Sequence, residues 1–440
     1  MKLKKGIVML ISICICFSFC GCGFVNNTDE LVSPPELTGD MYPIGQALKA
    51  SAGSNYNLAY PTGGNRRSAI ILEDINGDAV FEAFAFYSTN DDEMTNMHIN
   101  VICQKDGEWI SVSDQTIVAN GVERVDFCDL NGNGTEEILV GWEVNGSTGK
   151  QLSVFSFEDG ALVQKMLQEY TGFLCCDLDS NGVNEIFVHL LNTSDKTNKA
   201  IVYNYNDEGM AQTAGCMLDI NVKSASAPVL SVLSSGQNAI YIDEIKGVGS
   251  VTEVLFLSRG ELVNPLLDKE TSIENTSTLR TANLEMTDIN NDGIIEIPVA
   301  SELPNAAQSD EKLYYTNWCS FNGEKLSIKL VTVVNTVDGY YLTLPNSLVG
   351  SIAVLKDTEN HKRGFYLYDA ASGMVGESLF AITAIDLDDW KGQDNLAKGL
   401  NEIHRNESTV FAVTMSEKAQ SVGITADTVK EMFSMIGEQK

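Results

Sequence analysis

Basic residues are scarce in this 440-residue chain, which has 29 Lys and Arg against 60 Asp and Glu and a formal charge of −31. A phosphate backbone is gripped by stripes of Lys and Arg, so the shortage excludes a nucleic-acid partner and favours solubility and an affinity for cations. Histidine is scarcer still: His98, His189, His361 and His404 fall in unrelated settings. The chain has no HExxH, GxSxG or GxxxxGK[ST] motif and no CxxC pair, so it carries no signature of a zinc protease, a nucleophile elbow, a phosphate loop or a thiolate metal site. After the first segment there is no second hydrophobic span. Apolar residues are nevertheless plentiful, at 44% with 17 Phe and 14 Tyr, which excludes wholesale disorder. The length predicts more than one domain.

Residues 1–21 read as an export signal, with basic Lys2, Lys4 and Lys5 ahead of an apolar run from Ile7 to Phe19. That run is shorter than the roughly 20 residues a helix needs to cross a bilayer. Its end, Phe19-Cys20-Gly21-Cys22, resembles the lipobox of bacterial lipoproteins, in which a small residue precedes an acylated cysteine. Gly21 makes Cys22 the expected lipidation site, and Phe19 departs from the usual Leu. The resemblance implies a palmitate-type anchor at the outer face of the cell membrane, with full secretion as the alternative. Losing three Lys leaves 26 basic against 60 acidic residues, a net of −34, which an anionic bilayer repels. Residues 22–45 form the lipidated cysteine and a polar, Pro-bearing linker, with a short helix expected over residues 41–50. Cys103, Cys128, Cys175, Cys176, Cys216 and Cys319 lie in apolar, strand-like contexts and are expected to be buried free thiols.

Self-comparison reveals four segments that align without gaps. Their ligand-type residues are Asp74, Asn76, Asp78 and Glu82; Asp129, Asn131, Asn133 and Glu137; Asp177, Asp179, Asn181 and Glu185; and Asp288, Asn290, Asp292 and Glu296. In each, oxygen side chains stand at relative positions 1, 3, 5 and 9, position 2 is Ile or Leu, and an apolar strand-like run follows. Alternate residues of a tight turn converge, so these oxygens with a backbone carbonyl can supply the six or so ligands of a hard cation such as Ca²⁺. The competing explanation is an Asx-rich turn without metal. The second loop has only Asp129 and Glu137 as carboxylates at ligand positions and should bind weakest, and the first has Ala79 where the others have Gly.

Gly-bearing turns recur about 31 to 35 residues after each first Asp, at Gly107, Gly160, Gly209 and Gly323, and read as hairpins. A fifth unit, over residues 229–267, has Ser234-Ser235-Gly236-Gln237 in place of the acidic loop. Units of this length with four short strands describe propeller blades. The expected fold is therefore mainly β: a β-propeller of about five blades over residues 46–334, with terminal segments able to complete a sixth or seventh. A small α+β domain is expected over residues 335–440.

The D-x-[DN]-x-[DN]-G-x-x-E loops, each followed by an apolar strand, resemble the FG-GAP or VCBS repeats of integrin-α-type β-propellers over about residues 66–334. The resemblance implies Ca²⁺ between the first two strands of a blade, although integrin loops commonly close with Asp rather than Glu. The order of the mature chain also resembles lipoproteins of clostridial Gram-positive bacteria, and the C-terminal part resembles a small domain of secreted clostridial proteins. The expectation is a non-enzymatic surface module, with structural Ca²⁺, that binds a protein or glycan. The alternative is a cell-envelope polysaccharide-processing enzyme using the propeller as scaffold.

Overall fold

Short runs of Val, Ile, Phe and Tyr punctuated by Gly, Asn and Asp favour strands joined by tight turns. The computed structural model describes residues 39–91, 94–146, 148–206, 209–280, 284–303, 314–357 and 359–437. Strand accounts for 55% of it and helix for 8%, in accord with the mainly β reading. The described residues fall into two compact units, one within residues 39–124 with 157–162 and one within residues 125–156 with 163–437.

In the first unit, Asn57–Leu58 and Ile70–Glu73 both pair with Glu82–Asp91, which is followed in the sheet by Met94–Lys105 and Glu108–Val118. The helix Tyr42–Ala52, with Pro in its first turn, covers this sheet. Its Ile44, Ala47 and Leu48 are buried against Ile70, Ala83, Ala85, Tyr87 and Ile102. The expected short helix is thus present and ends two residues later than the sequence suggests, at Ala52, with Gly53 as its cap.

Among the described residues five more antiparallel sheets follow along the chain. The second runs Gly121–Cys128, Glu137–Glu143, Lys150–Glu158, Ala161–Glu169, and the third Gly172–Cys176, Glu185–Asn192, Thr197–Asn206, Gly209–Met217. Both are the simple four-stranded meander of a propeller blade. The fourth has Val229–Val232, Asn238–Lys246, Gly249–Ser258 and Glu261–Val263 in order, with Ser224–Ala225 as an extra partner of Asn238–Lys246. This is the loop-less fifth unit of the sequence. Asp106-Gly107, Asp159-Gly160 and Arg259-Gly260 each put two successive residues at positive φ, the geometry of a type I′ hairpin.

The fifth sheet runs Ile297–Glu302, Tyr314–Phe321, Leu326–Asn335, Tyr340–Thr343 and finally Phe433–Met435, which arrives from far along the chain. The apolar spacing of residues 428–436 suits a helix, but the helix is Ala426–Met432, and Phe433–Met435 pairs as a strand with Tyr340–Thr343. In the sixth sheet Thr409–Met415 lies between Met374–Asp386 and Leu400–Arg405.

Within the second unit, successive sheets share cores in chain order. Leu139, Leu152 and Val154 pack on Phe173, Ile186 and Val188; Phe187, Ala200 and Val202 pack on Ile240, Ile242 and Leu255; Tyr241 and Val254 pack on Ile297 and Phe321. A strand covered on both faces reads as a continuous apolar run, which is why residues 137–142 and 185–191 are buried without alternation. The edge strand Glu108–Val118 instead alternates exposed and half-buried residues throughout.

The cysteine expectation is corrected in one pair. Cys128 and Cys175 form a disulfide, while Cys103, Cys176, Cys216 and Cys319 are free. Cys128 ends the first strand of the second sheet and Cys175 is the last residue but one of the first strand of the third, one and two residues before Asp129 and Asp177, so the bridge joins the roots of two acidic loops.

Candidate cation-binding loops

All four acidic loops take one backbone course. Positions 4 and 6 sit at positive φ in each: Gly77 and Ala79, Gly132 and Gly134, Ser180 and Gly182, Asn291 and Gly293. At position 6 three loops use Gly, and Ala79 holds the left-handed conformation at a cost of roughly 1–2 kcal/mol. The first Asp nucleates the turn by accepting backbone N–H bonds from residues further on. Asp177 accepts from Asn181 and Gly182, at 2.9 Å each, and Asp288 from Asp292 at 3.0 Å and Gly293 at 2.8 Å. Asp74 does the same with Asp78 and Ala79, and Asp129 with Gly132 and Gly134.

The closing Glu is carried by a strand. Glu82, Glu137 and Glu185 are the first residues of their strands, and Glu296 directly precedes Ile297–Glu302. Each side chain reaches back to accept the N–H of position 2: Ile75 at 3.3 Å, Leu130 at 2.9 Å, Leu178 at 2.8 Å and Ile289 at 3.2 Å. Position 2 is the hinge pin in three loops, with Ile75, Leu130 and Leu178 buried at 2%, 0% and 1% exposure, whereas Ile289 is half-buried. The closing carboxylates are themselves buried, and burial pushes all four above the ordinary carboxylate value. Glu296 goes furthest, up to about 7, with the charges of Asp292 and Asp288 adding to the effect of burial.

The loops differ in what they bring together. One oxygen each of Asp177, Asp179 and Glu185 lie within 4.8 Å of one another, and so do those of Asp288, Asp292 and Glu296. Such all-oxygen triads can hold a hard cation, and their buried, raised Glu residues are groups that gain from a counter-charge. The second loop has only two carboxylates at ligand positions, Asp129 and Glu137, and Asn131 and Glu137 are tied by a 2.7 Å bond from the amide. In the first loop Asn76 donates to Glu82 and Asp78 accepts from the N–H of Val80. Asn133 likewise accepts from Thr135, and Asn181 from Val183, so position 5 caps the turn as well as facing its interior. Asn290 donates to Asp292 and Glu296.

Three supporting residues escaped the sequence reading. Asn204, on the third strand of its sheet, donates to Glu185 at 3.1 Å. Asn184 reaches the carbonyl of Asp129 at 3.1 Å, and Asn238 reaches the carbonyl of Asp177 at 2.7 Å and Ser180 at 3.1 Å. Asn184 directly precedes the second strand of the third sheet and Asn238 opens that of the fourth, so each sheet holds the preceding loop. Cys22 lies outside the described residues, and among those residues no helix is long and apolar enough to cross a membrane.

No family model matches the chain, and no curated protein does. Solved structures do. The chain is similar to a structure of the Dos1 propeller at 11% identity, over 71% of this chain and 78% of that one, with a TM-score of 0.32. A rhamnogalacturonan lyase PL11 of Bacillus licheniformis matches at 9% identity over 82% and 90%, with a TM-score of 0.29. The periplasmic gluconolactonase PpgL of Pseudomonas aeruginosa matches at 12% over 74% and 95%, with a TM-score of 0.26. The expectation of a non-enzymatic protein, drawn from missing motifs, is corrected by this finding, since a lyase and a lactonase stand among the similar structures. Likeness at this level assigns no reaction to the chain.

Proposed function

We propose that this chain is a cell-envelope lipoprotein of the FG-GAP or VCBS type, in which Ca²⁺ in the acidic loops braces successive sheets and the braced surface binds a glycan or protein outside the membrane. The observation that supports this best is the convergence of three carboxylates in each of the third and fourth loops. Asp177, Asp179, Asn181 and Glu185, and Asp288, Asn290, Asp292 and Glu296, would hold the ions, whose role is to neutralise charge and tie a strand end to its turn. The first and second loops, at Asp74 and Asp129, would bind more weakly. A lipid on Cys22 would fix the body to the membrane's outer face. Pull-down from envelope extract with the mature protein, in Ca²⁺ and in EGTA, tests the reading: a glycan or protein retained only with Ca²⁺ supports it, and capture indifferent to Ca²⁺ contradicts it.

A second reading, processing of an envelope polysaccharide, draws on a cavity of about 620 Å³ beside the fourth loop. Glu285, Asp288 and Glu431 line it together with Trp318 and Tyr341, the mixture of carboxylates and aromatic rings that sugar chemistry uses. New reducing ends released from a polysaccharide by wild type but not by Glu285→Gln would favour it; equal release by both would remove it.

A further inference from the structure

Away from the loops, the contact between the third and fourth sheets buries an unusual density of acid. Asp219, Glu244 and Glu253 are each 0% exposed, together with His189, Asn198 and Asn275. Lys246 is the ammonium that meets this group, and it is already engaged by Asp219 at 2.7 Å and by the more exposed Glu274 at 3.2 Å. Among the described residues, Glu253 meets no ammonium or guanidinium group. Its Oε1 accepts the N–H of Asp219 at 3.1 Å, and its Oε2 accepts from the amides of Asn264 at 2.8 Å and Asn275 at 3.4 Å. Glu244 Oε1 accepts from Asn198 at 2.7 Å and lies 3.4 Å from His189 Nε2, while its Oε2 and His189 Nδ1 have no partner.

A buried charge without an opposite charge costs several kcal/mol, and the usual escape is to take up a proton. We propose that Glu253 is a buried proton-binding site that couples the packing of the third sheet on the fourth to pH, firm when the carboxyl is neutral and loosened when it ionises. Asn264 supplies a place for the proton. Its Oδ1 is buried and unpartnered, and a half-turn of the amide puts that oxygen where Nδ2 now meets Glu253, as acceptor of an acid O–H.

The surroundings agree in sign. Burial, then the charge of Glu244, pushes Glu253 up to about 8, against the lowering effect of the Asn264 and Asp219 donors. The groups around Glu253 are Cys216 and Asp219 from one side, Glu244 and Lys246 from the neighbouring strand, His189 behind Glu244, and Glu274 behind Lys246. Arg280 does not relieve the excess, because it is committed to Asp243 at 2.7 Å. Asp243 and Glu244 are consecutive in a strand and point to opposite faces. A carboxyl raised in the folded state contributes stability fully below its unfolded value and loses it as pH climbs through the folded one. The loosening therefore belongs to the alkaline side.

The test is denaturant unfolding at pH 7 and pH 9 of wild type and Glu253→Gln, whose neutral amide mimics the protonated acid. Between those values the wild-type folding constant should fall by about tenfold more than that of the variant. An equal fall in both overturns the proposal. Should Glu253→Gln fail to fold, Glu244→Gln serves: removing the neighbouring charge should bring the pH at which the loss levels off to a lower value, and an unmoved levelling-off point overturns the proposal equally.

Discussion

Calcium should raise the melting temperature of the purified protein by an amount set by the two converged loops. Extracellular modules hold Ca²⁺ with dissociation constants of about 10⁻⁴ to 10⁻³ M. At about 10 mM Ca²⁺ each site then adds roughly 1.4–2.7 kcal/mol by mass action. Two sites, Asp177-Asp179-Glu185 and Asp288-Asp292-Glu296, add about 3–5 kcal/mol. At about 2 °C per kcal/mol for a unit of this size, the shift from EGTA to Ca²⁺ is about 5–10 °C by scanning fluorimetry or calorimetry. Ionic strength must be matched with NaCl, because screening alone stabilises so acidic a chain. Asp177→Asn and Asp288→Asn should each remove about half the shift, and Mg²⁺, which demands a smaller octahedral shell, should give less. Identical melting in EGTA and Ca²⁺ refutes the reasoning, and so does a full shift in the double variant.

Other consequences follow from particular residues. Glu296, raised to about 7, holds a proton in the metal-free fold that the unfolded chain gives up near the ordinary value, so its contribution is full at acid pH and is lost as pH rises through 7. Calcium needs the ionised form; titration calorimetry at pH 5.5, 6.5 and 7.5 should show affinity rising with pH, by roughly tenfold per unit below 7. Leu178→Ala removes the buried pin of the third loop and should cost about 2–5 kcal/mol in urea unfolding. A loss below about 1 kcal/mol would mean that the side chain does not anchor the turn. Replacing Cys128 and Cys175 with Ser opens a closure spanning 47 residues and should lower stability by about 4 kcal/mol under non-reducing conditions. No difference from wild type would indicate that the thiols are free in solution.

The loops were legible because their chemistry is local: nine consecutive residues contain the turn-forming Asp, the left-handed Gly and the closing Glu. The meander sheets were legible for the same reason, since each strand pairs with the next in the chain. What escaped depends on distant partners. Cys128 and Cys175 are 47 residues apart, and their adjacency arises only when two sheets stack. Phe433–Met435 has an apolar spacing that suits a helix, and only Tyr340–Thr343 across the sheet turns it into a strand. Glu244 and Glu253 look like any surface acids in a chain with 60 of them, and only packing reveals that both are wholly buried. Asn184 and Asn238, which bind the preceding loops, carry no charge pattern that marks them.

The central claim, that the acidic loops are Ca²⁺ sites, is tested most directly by counting bound ions with equilibrium dialysis against ⁴⁵Ca²⁺. Wild type should bind two ions in the stronger class, with weaker uptake at the loops of Asp74 and Asp129, and Glu185→Gln with Glu296→Gln should abolish the stronger class. Absence of saturable binding, or a stronger class that survives both substitutions, would contradict the account.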